Sequence, residues 1–174
     1  MRTRNRSIIF LSLVLFASSV LVAQQGTATT RQSTGSELTL LSPDHKSVVL
    51  AAELKAMSHV TVTIHNAHTD ADEAYSGVRL VDLLSKLGAP LGSDLRGKAL
   101  ANYIVATGSD GYKAVLALAE IDPSFHPGEV LVADTMNGKP LDEHSGPLKL
   151  VVTEDKRPAR SVRNLVSIEL KMAQ

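Results

Sequence analysis

The sequence of 174 residues contains no cysteine and no tryptophan, and aromatic residues make up only 3% of it. Without cysteine, a disulfide framework, a thiolate metal site and a thiol nucleophile are all excluded. The shortage of aromatics weakens the case for base or sugar stacking, as on the platforms that bind single strands. An excess of charge is missing too, since 18 Lys and Arg face 18 Asp and Glu. Binding nucleic acid by neutralising phosphates needs a basic surplus, so no nucleic-acid partner is expected. Neither a Gly-x-Ser-x-Gly elbow nor a Gly-rich loop ending in Gly-Lys-Ser/Thr occurs, which removes the familiar nucleophile and phosphate motifs. What the chain does have is aliphatic character. Hydrophobic residues form 44% of it, enough at this length for one domain with a substantial core.

The N-terminus has its own pattern. Arg2, Arg4 and Arg6 precede an apolar run from Ile8 to Val22, interrupted by Ser12, Ser18 and Ser19, and Ala23 follows. A basic start, a short apolar centre and a small-residue exit make a cleavable secretory signal peptide over residues 1–23, cut near Ala23. The run falls short of the roughly 20 apolar residues of a membrane span, so no span is expected in the mature chain. The expected location is secreted or periplasmic. Three arginines and no acids leave with this segment, so 15 bases then face 18 acids and the exported domain is mildly acidic. Residues 24–36 are small and polar without an apolar period, and read as a disordered leader.

From residue 37 to 174 the signals are those of one domain. Leu38–Leu41 and Ser47–Leu50 read as short strands about Pro43-Asp44, and Ala51–Met57 as two helical turns. Val60, Val62 and Ile64 alternate with Thr61, Thr63 and His65, the period of a half-buried strand. Leu80, Leu83, Leu84 and Leu87 share one helical face, and Gly88 and Pro90 end that helix. Ala101–Thr107 and Tyr112–Leu118 flank an Asp110-Gly111 hairpin signal, and Val130–Ala133 precedes a second at Asn137-Gly138. Leu148–Val152 and Val166–Leu170 complete the strands. Many strands with few short helices indicate an α+β domain rather than a βαβ array.

Four segments, in order, carry a resemblance: YSGVRLVDLLSKLGAP (residues 75–90), SDGY (109–112), LVADTMNGKPL (131–141) and GPLKLVVTEDKRPARSVRNLVSIEL (146–170). Together they resemble the oxidoreductase molybdopterin-binding domain of the sulfite-oxidase type. The resemblance implies an α+β fold of mixed, twisted β-sheets with few short helices, and a molybdenum–pterin cofactor. It also implies that a K-S-x-K stretch, here Arg160-Ser161-Val162-Arg163, helps hold the cofactor's phosphate. Arginine at the lysine positions keeps the charge and adds a fork suited to phosphate. Arg160, Ser161 and Arg163 are therefore the candidate anion-binding residues, with a solvated basic loop as the plainer reading. The family's metal is ligated by a cysteine in the loop after the strand corresponding to Val60–Ile64. Here that loop reads His65-Asn66-Ala67-His68, and the cofactor-binding segment that lies upstream in the family is expected to be missing.

His65 to Glu73 is the densest chemical cluster, placed by sequence in a loop after a strand. Neutral imidazole with carboxylate suits zinc or another divalent ion, and His65, His68 and Asp70 are the candidate ligands. His126 and His144 read as surface histidines, and Glu154–Arg157 as a solvated turn. Three functions stay open. The first is a periplasmic binding or accessory module of the molybdopterin-binding fold, without the redox metal, for a small anionic ligand or a periplasmic or membrane redox partner. The second is a divalent-metal protein centred on His65 and His68. The third is a pterin-dependent oxidoreductase completed by a partner subunit.

Overall fold

A computed structural model describes residues 37–173. The expected signal peptide and leader lie outside the described residues. The chain runs β1 (Glu37–Ser42), β2 (His45–Leu50), α1 (Ala51–Ala56), β3 (His59–Asn66), β4 (Ala71–Arg79) and α2 (Leu80–Lys86). It continues through β5 (Asn102–Gly108), β6 (Lys113–Ala117), β7 (Val130–Met136), β8 (Lys139–Pro140), β9 (Lys149–Val152) and β10 (Leu165–Met172), with short 3₁₀ turns between some of them. Two mixed-order sheets result. The first has the order β2-β1-β10-β5-β6, in which β1 and β10 are parallel and the other pairs antiparallel. The second is antiparallel, in the order β3-β4-β7-β8, with β9 also on β7. This is the expected α+β class.

Alternation explains the layers. Leu38, Leu40, Ile104, Ala106, Leu116 and Ile168 of the first sheet join Val78, Val130, Val132, Leu150 and Val152 of the second in one buried cluster. Helix α2 closes that cluster with Leu80, Leu83 and Leu84, all fully buried. Its end follows from local chemistry. Gly88 takes φ 72°, a left-handed geometry that costs glycine little. This lets the Gly88 N–H donate to Ser85 O at 3.0 Å and the Ala89 N–H to Leu84 O at 3.1 Å, satisfying two terminal carbonyls.

One segment departs from expectation. Residues 65–73 are not a loop after a strand: β3 extends to Asn66 and turns back at once into β4, pairing His65 with Asp72 and Ile64 with Glu73. Sequence pattern hides β4 because Ala71-Asp72-Glu73-Ala74 has poor strand propensity. The strand forms because β3 and β7 flank it on both sides. Between β4 and β7 the register shifts at Ser76/Gly77, so Asp134 is an extra residue on β7, a β-bulge that re-aims its side chain. Gly77 is required there, since a Cβ would meet Val132 O at 2.2 Å. The other face of the second sheet carries a smaller cluster of Tyr75, Leu131, Ala133 and Val151.

Candidate functional site

The stretch Arg160–Arg163 lies in the connection from β9 to β10, which folds back along β9. The Leu150 N–H donates to Val162 O at 2.8 Å, the Leu165 N–H to Leu148 O at 2.8 Å and the Val152 N–H to Ser161 Oγ at 3.3 Å. Val162 is fully buried and anchors the segment. On this frame Arg160 points its fork at Asp155, with Nε–Oδ2 at 2.9 Å and Nη2–Oδ1 at 2.6 Å. Its Nη1 donates to Glu120 Oε1 at 2.7 Å. The second Glu120 oxygen accepts the Ala117 N–H at 2.8 Å. Burial alone would raise the Glu120 carboxyl, but Arg160 and the Ala117 N–H together hold it below the ordinary value. The bonds to Asp155 and Glu120 hold the guanidinium more firmly protonated than usual.

Beside Arg160 lies a cleft of about 80 Å³ lined by Glu120, His126, Glu129, Glu154, Asp155 and Arg160 among others. Four carboxylates thus line the cleft together with one guanidinium, which Asp155 and Glu120 already pair. The expected phosphate arginine is paired with two acids through three of its N–H groups, and the acidic lining disfavours an anion. Asp155 is accordingly no part of a merely solvated turn: its side chain is only 15% exposed.

Arg163 goes elsewhere. Its Nη1 contacts the His144 ring, so the two arginines do not converge on one ligand. Nearby, on the second face of the second sheet, is a network that sequence reasoning missed. Lys149 donates to the Tyr75 hydroxyl at 2.7 Å, Tyr75 donates to Glu73 Oε2 at 2.7 Å, and Asn66 Nδ2 donates to Glu73 Oε1 at 2.7 Å. Burial would raise the Glu73 carboxyl, but the Tyr75 and Asn66 hydrogen bonds and the Lys149 charge outweigh it, and the group sits below its ordinary value. Burial and the bonded Glu73 push the Tyr75 phenol up, and burial brings the Lys149 ammonium down. The one sequence signal for this network is a lysine set inside the apolar run Leu148–Val152.

The histidine cluster is arranged differently from the expected metal set. His65 lies between Asp72, at 3.1 Å from Nδ1, and Asp70, at 3.5 Å from Nε2. Both ring nitrogens thus face carboxylates in a β-hairpin. His68 is not brought to them; its backbone N–H donates to Asn66 Oδ1 at 2.9 Å. Among the described residues no three His, Asp or Glu side chains converge to hold a metal ion, so His65, His68 and Asp70 are not assembled as ligands. His59 instead bridges Met57 O at 2.8 Å and the bulged Asp134 at 3.3 Å.

Residues 44–174 match the family described as the oxidoreductase molybdopterin binding domain. The chain belongs to that family. Among solved structures, the family fold is seen again in the sulfane dehydrogenase SoxCD from Paracoccus pantotrophus, with a TM-score of 0.59 and 16% identity. The match covers 78% of this chain and 38% of that one, so this family member spans about two-fifths of the larger protein's chain. No curated protein matches the sequence. Among the described residues no helix is long and apolar enough to cross a membrane.

The donor set of this family member does not fit a molybdenum–pterin group. No thiol exists anywhere in the sequence, and neutral imidazole lacks the charge and softness of thiolate. Arg160 is closed onto two carboxylates, and the cleft beside it is well below the ~300–1,000 Å³ of a typical cofactor pocket.

Proposed function

We propose that this chain is an exported accessory member of the molybdopterin-binding oxidoreductase family, a binding module that does not itself carry the molybdenum reaction. One observation supports this above the rest. Arg160, where the family resemblance puts a phosphate contact, is bound at three nitrogens by Asp155 and Glu120. Three of its five N–H donors are engaged and two carboxylates offset its charge, which makes it a poor phosphate contact. The acidic lining of the cleft favours a partner protein over a small anionic ligand. The basic and apolar pattern of residues 1–23 supports export, which puts that partner outside the cytoplasm.

The test is pterin content. Protein purified from a host that makes the cofactor is denatured and oxidised, and the extract is assayed for pterin fluorescence. The expected result is a trace far below one pterin per chain. One pterin per chain would overturn the reading, and the oxidoreductase completed by a partner would take its place.

A further inference from the structure

Strand β3 is an edge of the second sheet: it pairs with β4 on one side, and among the described residues no strand pairs with the other. Such an edge offers unpaired backbone donors and acceptors to another strand, and proteins usually guard it with lysine, proline, a bulge or shortness. The other edges here are guarded in sequence. β2 contains Lys46, β6 contains Lys113, and β8 has two residues, Lys139 and Pro140. β3 has none of these devices. It is eight residues long, HVTVTIHN, without lysine, proline or acid, and its register with β4 runs unbroken from His59 to Asn66.

The strand is also complementary to itself. An antiparallel pairing about a two-fold axis at Val62 sets Val60 opposite Ile64 and Thr61 opposite Thr63. Apolar then meets apolar and threonine meets threonine on each face, the pairings that stabilise sheets. Charge agrees with the same register. The turn end of β3 carries Asp70 and Asp72, whose side chains are 97% and 70% exposed. At the other end the exposed Lys86 places its ammonium 3.6 Å from Met57 Sδ. An antiparallel two-fold brings the acidic end of each copy to the Lys86 end of the other.

We propose that a second copy of this chain docks along β3, joining two antiparallel sheets into one continuous sheet across a two-fold axis. The occupant is the chain itself because the edge answers its own register and its own charge pattern, as an isologous contact must.

The test is sedimentation velocity of the purified full chain across a wide concentration range, with thermal melting as a folding control. The expected result is a concentration-dependent doubling of mass. Thr61→Lys/Thr63→Lys sets like charges directly opposite across the axis, and is expected to give a monomer with unchanged melting because both positions are exposed. Asp70→Lys is expected to weaken dimerisation about tenfold, and adding Lys86→Asp to restore it. A wild-type monomer at every concentration overturns the proposal, including one in which another segment covers the edge. So does a dimer that the lysine pair leaves intact, or a charge reversal that Lys86→Asp does not rescue.

Discussion

Replacing Arg160 by alanine separates a structural role from a phosphate-binding one. The wild-type side chain makes three charge-assisted hydrogen bonds, at 2.9, 2.6 and 2.7 Å. Its side chain is 35% exposed, Asp155 is 15% and Glu120 40% exposed. Fully exposed pairs contribute about 0.2–1 kcal/mol, whereas removing one partner of a buried pair costs about 3–5 kcal/mol. Solvent screening at Glu120 and Arg160 places this site between the two, so Arg160→Ala is expected to cost about 1–3 kcal/mol. With a urea m-value of about 2 kcal/mol/M, the midpoint falls by roughly 0.5–1.5 M. The effect has a pH signature. The folded Glu120 titrates below its ordinary value of 4.5. Its contribution is therefore full above about that pH and is lost as pH falls through the lower folded value. The gap between wild type and variant should be widest near neutrality and should narrow in acid. Arg160→Lys should recover only part of the loss, because an ammonium cannot reproduce the fork. Urea denaturation at neutral and acid pH reads all of this. Coincident curves for wild type and Arg160→Ala at neutral pH would refute the structural role and free the arginine for a ligand.

Three further outcomes follow from the same geometry. Leu84→Ala, at a fully buried helix position, is expected to cost about 2–5 kcal/mol; a melting temperature within a degree or so of wild type would mean that the stripe is not core. Gly77→Ala forces a methyl group against Val132 O at 2.2 Å and Ala133 Cα at 2.5 Å, and should cost at least about 2 kcal/mol, with unchanged stability refuting the tight approach of β4 to β7. Tyr75→Phe removes the hydroxyl shared by Lys149 and Glu73 and is expected to cost about 1–3 kcal/mol. Because the folded Glu73 titrates below 4.5, this loss too should be greatest above that pH and shrink in acid; a loss that does not change with pH would contradict the coupling.

Hydropathy period made the fold legible wherever a segment has one dry face. The stripe Leu80–Leu87, the alternation at Val60–Ile64 and the Asp-Gly and Asn-Gly turns each mark elements that the structure contains, because one face of each must leave water. Strand β4 escaped that logic. Its first residues are polar, and they become a strand through neighbours distant in sequence rather than through their own pattern. The candidate site was legible in location more than in role. Arg160 could be picked out by resemblance, yet its partner Glu120 lies 40 residues away, and no periodicity connects the two. The same holds for Tyr75 and Lys149, separated by 74 residues. Charged groups choose partners by three-dimensional proximity, so single-sequence reasoning finds them and misses what they hold. His65 shows this from the other side: residue types that suit a metal are used in the hairpin to set one imidazole between Asp70 and Asp72.

The central claim is that this family member keeps the fold without the molybdenum chemistry. Elemental analysis of the full chain, purified from a molybdenum-replete host, tests it most directly by giving molybdenum atoms per chain. The account predicts a value far below one, unchanged by Arg160→Ala. A value of one molybdenum per chain would contradict it.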